Sequence, residues 1–162
     1  MRILGLDPSI SSTGWGVIDV EGNRLSYVAD GFIPTSSKQL LSKRLHTIYE
    51  ELQKITALYK PDEAAIEITF LNTNAETSLK LSMARGVVYL IPSINNIPLY
   101  EYEPNKIKKS LTGVGKADKN QVETMVKILL PGCHPKNNDS SDALAIAITH
   151  CNLRNSFQNK AV

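Results

Sequence analysis

The chain has 162 residues, of which 42% are hydrophobic and 21% charged, with a formal net charge of +2. This ordinary balance excludes disordered, collagen-like and membrane-embedded classes and leaves room for one domain with a sizeable core, not two. A charge this small does not by itself imply a polyanionic partner, although charge can be clustered locally.

Met1-Arg2 runs directly into ILGLD, without the basic, apolar, small-residue succession of a secretory leader, so a cytoplasmic location is expected. Arg2 to Leu6 then reads as a short apolar strand ending at Asp7-Pro8, and WGVIDV (Trp15 to Val20) as a second, joined by a Gly- and Ser-rich turn. After the turn Glu21-Gly22-Asn23, the segment from Arg24 to Ile33 has the β-branched and aromatic content of a third strand. Leu41, Leu45, Ile48, Leu52, Ile55 and Tyr59 recur at steps of four and three, the stripe of an amphipathic helix that ends before Pro61. EAAIEI (Glu63 to Ile68) predicts a buried strand. A polar loop, FLNTNAET, and an apolar helix from about Ser78 to Leu90 follow, with Pro92 expected to stop the helix. IPLYEY (Ile97 to Tyr102) predicts a strand and Lys106 to Leu111 a short helix. Val122, Met125, Val126 and Leu129 mark a longer helix, and the last helix starts near Asp139. No apolar run reaches the length of a membrane span. Cys133 and Cys151 are too few for a disulfide framework and lack metal-finger spacing. A three-strand meander followed by alternating helices and strands predicts an α/β fold, a mixed sheet with helices on its faces.

Four acidic residues fall at element ends: Asp7 closes the first strand, Glu67 lies late in the fourth, and Asp139 and Asp142 open the last helix. Each has an ordinary structural reading. Asp139 and Asp142 suit exposed helix-start N–H groups and the positive end of the helix dipole, and Asp7 before Pro8 suits a turn. Glu67 is harder to explain away, because a charge in the uncharged run AAIEI is costly to bury without a partner, although its even spacing from Glu63 leaves a solvated face open. If the first and fourth strands are neighbours, all four carboxylates can meet at one sheet edge. With no Lys or Arg expected beside them they would repel one another, and hard oxygen ligands suit magnesium or manganese.

In this order of elements, ILGLDP…TGWGVI, AIE…F…N…SLKL…ARG, LTGVGKADKNQV and DSSDALAIAITH resemble the RuvC family of Holliday-junction resolvases, within the RNase H-like superfamily. The likeness runs from about Ile3 to His150. It implies an RNase H-like mixed five-stranded sheet with helices on both faces, one nuclease domain over 1–155 and a flexible C-terminal tail over 156–162. It also implies a homodimeric, magnesium-dependent endonuclease that nicks four-way junction DNA symmetrically, working with a branch-migration helicase complex. The family's catalytic, metal-holding carboxylates fall on Asp7, Glu67, Asp139 and Asp142. Its aromatic residue near the junction bases falls on Phe70, and its DNA-contacting lysines on Lys108 and Lys119. Two metal ions per site, magnesium with manganese as a substitute, would supply the chemistry of phosphodiester hydrolysis.

Lys106, Lys108, Lys109, Lys116 and Lys119 cluster around Gly113-Val114-Gly115, a solvated face in the ordinary reading and a phosphate-contacting one beside a nuclease site. Phe70 reads equally well as core. The row Leu79, Met83, Val87 and Leu90 reads as core too, and the breadth of apolar surface on that helix would also suit a dimer interface. His134 and His150 have no ligand-like spacing. The family usually has Gly where Ser9 stands, which would strain the turn beside Asp7 if that position needs a positive φ. Three rivals stand beside the resolvase: a nuclease for structured RNA, a catalytically weak junction-binding protein resting on Ser9, and an ATP-binding protein of the actin and sugar-kinase type. The last needs two such domains.

Overall fold

Strands β1 (Arg2–Asp7), β2 (Ser12–Glu21) and β3 (Arg24–Pro34) form an antiparallel meander, to which β4 (Glu63–Glu67) and β5 (Leu99–Tyr102) add in parallel, giving the order β3-β2-β1-β4-β5. The structure is a computed structural model that describes residues 1–69, 74–154 and 161–162. Helix α1 (Leu41–Tyr59) carries the chain from the edge strand β3 to β4 beside β1, and α2 (Ala75–Ile94) carries it from β4 to β5. Helices α3 (Pro104–Thr112), α4 (Lys119–Leu129) and α5 (Asn138–Leu153) complete the chain.

β1 is apolar and buried from Ile3 to Leu6 because it is covered on both sides. Leu4 and Leu6 face α1 and α2 in a core with Val17, Ile48, Leu52, Ile66, Val88 and Ile91. Ile3 faces α3, α4 and α5 in a second core with Tyr102, Ile107, Val126 and Leu144. Each fully buried Leu or Ile contributes roughly 1.5–3 kcal/mol. The stripe on α1 buries Ile48, Leu52 and Ile55 as its spacing predicts, and the helix ends where Lys60 turns left-handed (φ 48°) before Pro61. α5 is buried from Ala143 to His150, lying between the sheet and the pair α3 and α4, so it is apolar on all sides rather than amphipathic.

Four expectations need correction. β2 begins at Ser12 rather than Trp15, because Gly14 pairs with Asp7 and Ser12 with Pro34. α2 starts at Ala75, where the Asn74 side chain accepts from the Thr77 amide (3.0 Å). Pro92 does not stop that helix but lies inside it: only the last turn follows, closed by the Asn95 amide on the Ile91 carbonyl (3.2 Å). Of the row read as core on α2, Leu79 (58%), Met83 (39%) and Leu90 (49%) are exposed, while Val87 packs partly buried against the core and Ala84, Val88 and Ile91 face inward. Of the expected tail, 156–160 lie outside the described residues, and the Val162 amide donates to the Leu99 carbonyl (2.9 Å). Among the described residues no helix is long and apolar enough to cross a membrane.

Candidate active site

Register brings the first two carboxylates together. Leu6 lies opposite Ile66 in the parallel pair β1–β4, so the next residues, Asp7 and Glu67, leave the same end of the sheet side by side. Across the other side of β1, Asp7 pairs with Gly14. Here the absence of a side chain matters. A Cβ on Gly14 would stand 2.1 Å from the Asp139 carbonyl oxygen, and one on Gly5 would stand 2.0 Å from that of Ala143. Glycines in the strands and alanines in α5 therefore let the helix backbone lie directly on the sheet, and its first turn reaches Asp7.

Neither aspartate of that turn is a cap. Asn137 caps α5 instead, accepting from the Ser140 amide (2.8 Å) while Ser140 Oγ accepts from the Asn137 amide (3.1 Å). That leaves Asp139 and Asp142 free to face the sheet end. Asp139 accepts from the Ser12 hydroxyl and from Asn137 Nδ2 (3.0 Å), which fixes its rotamer. Asp30, buried in β3, holds the approach to the helix: it accepts from the Tyr27 hydroxyl (2.6 Å) and the Lys136 amide (2.9 Å).

The electrostatics record the crowding. Burial, followed by Asp142, Glu67 and Asp139, pushes the Asp7 carboxyl up to about 8. Glu67 is raised by burial and by Asp142, against Lys108, Lys119 and Arg85, and Asp142 is raised by burial against Lys119. The expectation that no cation lies nearby is thus incorrect. Lys119, the first residue of α4, places its Nζ 3.6 Å from Asp142, and Lys108 on α3 lines the same cleft with Glu67 and Asp142. Packing of α3 and α4 against α5 creates this proximity, which spacing does not reveal.

Among the described residues no three His, Cys, Asp or Glu side chains already converge as a metal-ligating group. Asp139 is turned to Ser12 and Asn137, and Asp142 to Lys119. The donor set still fits a hard divalent cation, because four crowded carboxylates offer only oxygen acceptors and a cation removes the repulsion that raises Asp7.

Residues 3–150 match the family model described as crossover junction endodeoxyribonuclease RuvC. The chain belongs to the RuvC family. It is 51% identical over 156 residues to the crossover junction endodeoxyribonuclease RuvC of Afipia carboxidovorans, covering 96% of this chain and 91% of the relative. The corresponding protein of Rhodopseudomonas palustris is 48% identical over 163 residues, covering 100% of this chain and 94% of the relative. Among solved structures, Thermus thermophilus RuvC in complex with a Holliday junction substrate superposes with a TM-score of 0.93 at 29% identity, covering 100% of this chain and 99% of that one. The α/β, RNase H-like sheet with helices on both faces is therefore the RuvC fold.

Within this RuvC-family chain, Ser9 does not strain the turn beside Asp7: Lys60 and Asn96 are the non-glycine positions of positive φ among the described residues. Its carbonyl accepts from Thr13 Oγ1 (2.6 Å), which ties the turn to β2. Phe70 lies outside the described residues. Sequence reasoning missed Ser12, Asn137, Asp30 and Arg85. Only Asn137 had a local signal, as an Asn three residues before Ser140. It also left His150 unassigned, which is buried with Nδ1 2.8 Å from the Tyr102 hydroxyl and Nε2 2.7 Å from Glu63.

Proposed function

We propose that this chain is a structure-selective endonuclease that resolves four-way DNA junctions by paired symmetric nicks, acting in the cytoplasm as a homodimer alongside a branch-migration helicase complex. The observation that carries the reading is the meeting of Asp7, Glu67, Asp139 and Asp142, from β1, β4 and the first turn of α5, at one end of the sheet in a RuvC-family chain. These carboxylates would hold magnesium, two ions per site, with manganese as a substitute. Bound there, the cations would activate water and neutralise charge on the phosphate and the leaving oxygen.

The protein's own residues set the geometry. Asp7 sits between Glu67 and the first turn of α5, from where its carboxylate would help to hold the metal with ligands from either side. Ser12 and Asn137 fix the rotamer of Asp139, and the buried α5 aims both aspartates from a rigid element. Lys108 and Lys119 flank the carboxylates on the α3–α4 side, where a scissile phosphate would bring negative charge. Phe70, three residues beyond Glu67, is assigned to the junction bases by family resemblance alone.

The alternative, a nuclease for structured RNA, finds no support in the family match or in the relatives above. A cleavage assay on four-way DNA, duplex DNA and structured RNA tests the reading. Paired junction nicks that require magnesium and vanish in Glu67→Gln are expected. Equal cutting of RNA, or full activity in chelator, would overturn it.

A further inference from the structure

Asp7 and Glu67 are each the last residue of their strand, and Glu67 lies opposite Tyr102 of β5. Its backbone amide neighbour, Ile68, still donates to the Tyr102 carbonyl (2.8 Å). The Glu67 carbonyl has a different partner, the side chain of Arg85 on α2. Arg85 Nη1 donates to the Glu67 carbonyl oxygen (2.6 Å) and to Thr69 Oγ1 (2.9 Å). Its Nη2 donates to Glu101 Oε1 (2.6 Å) on β5 and to the Tyr89 hydroxyl (2.6 Å), and the guanidinium lies 5.0 Å from the Tyr89 ring centroid. The Arg85–Glu101 pair is mostly shielded, with side-chain exposures of 18% and 26%.

We propose that Arg85 is a positioning residue for Glu67: one guanidinium ties α2 and β5 to the chain on both sides of Ile68, immediately after the proposed metal ligand. Only a planar fork with several donors can hold a backbone carbonyl, a threonine hydroxyl and a carboxylate at once, so Lys cannot replace it despite equal charge. Arg85 hydrogen-bonds the Glu67 carbonyl and not its carboxylate, so it orients the ligand without occupying the carboxylate oxygens, on which its charge acts only at a distance.

The inference rests on Glu67 being a metal ligand, and Glu67→Gln separates the two ideas. The test measures single-turnover junction cleavage at saturating protein, junction Kd in calcium, manganese affinity without DNA, and melting temperature. Arg85→Lys is expected to slow cleavage by about tenfold to a hundredfold, as misplacement of a reacting group does, and to weaken manganese binding about tenfold. Junction Kd and melting temperature stay close to wild type. Glu101→Gln, which leaves the guanidinium in place but loosens it, gives the same split at smaller size and serves if Arg85→Lys folds poorly. Unchanged cleavage and manganese affinity in both variants, or losses that merely track junction Kd and melting temperature, would overturn the positioning role. If Glu67→Gln also cuts at the wild-type rate, the reading of the site itself fails. If Glu67→Gln is inactive while Arg85→Lys is not impaired, only the positioning role fails.

Discussion

Asp7 concentrates the electrostatic strain of the site. Its carboxyl stands at about 8 rather than 3.8, so between those values the folded, metal-free protein holds a proton that the unfolded chain releases. Stability from this group is complete at acid pH and is lost as pH rises through about 8. Asp7→Asn removes the charge and keeps the shape. At pH 8 without metal the variant is expected to melt several degrees above wild type, each kcal/mol being worth about 2–4 °C in a domain of this size, while cleavage is abolished. Magnesium should raise the melting temperature of wild type and not of the variant. A variant that melts lower in metal-free buffer would make Asp7 a structural residue. Lys119 offers the complementary test, since it stands 3.6 Å from Asp142 and is otherwise exposed. Lys119→Ala is expected to weaken junction binding and to reduce the log–log salt slope by about 0.9 if one phosphate contact is lost. An unchanged slope would return Lys119 to a purely local partner of Asp142.

Helix α5 is held at both ends. Its first turn rests on Gly14, where a Cβ would meet the Asp139 carbonyl at 2.1 Å. Gly14→Ala must therefore lift the helix or bend β2, at about 1–3 kcal/mol of overpacking, and a displacement of Asp139 is expected to slow cleavage about a hundredfold. Loss of stability with wild-type cleavage would show that the seat of α5 does not aim Asp139. At the other end, burial lowers the His150 pKa, against hydrogen bonding and charge from Glu63 and with Arg154 acting in the same direction as burial. The ring is neutral, so the Tyr102 hydroxyl donates to Nδ1 and Nε2–H donates to Glu63. The unfolded chain takes up a proton near the ordinary value of 6.5 before the folded one does, so stability from this group is present above that pH and is lost as pH falls below it. His150→Gln is expected to reduce stability at pH 7.5 by about 1–3 kcal/mol, through the partners left unpaired, and to flatten the loss between pH 7 and 5. A denaturant midpoint with the wild-type pH dependence would remove His150 as its source.

At the scale of the whole molecule, a junction with an approximate two-fold axis calls for two equivalent nicks, and each chain carries one set of four carboxylates. A closed two-fold dimer is the commonest way to present two such sites. Leu79, Met83 and Leu90 offer it a surface: they share the outer side of α2, 39–58% exposed, opposite the inward row of Ala84, Val88 and Ile91. Sedimentation at micromolar concentration is expected to show a dimer, and Leu90→Glu a folded monomer that rarely makes paired nicks. A wild-type monomer that still cuts both strands in concert would end the dimer proposal.

Local patterns were enough for much of this. The stripe of α1, the apolar middle of β1, the meander and the acidic residues at element ends are properties of neighbouring residues, because side-chain periodicity is set by the chain's own geometry. The likeness to RuvC was legible for the same reason, as blocks in order. What only the tertiary structure decided lies between segments far apart in sequence. The Glu63–His150 bond spans 87 residues, Arg85 reaches back to Glu67, and Asp139 is held by Ser12 across 127 residues. Which face of α2 turns inward, and whether Asn137 or an aspartate caps α5, also depended on packing, since several rows of an apolar helix and several polar residues at its start satisfy the same local rule. Strand register and the glycine contact that brings α5 onto the sheet chose among them, and that choice converts four scattered carboxylates into one site.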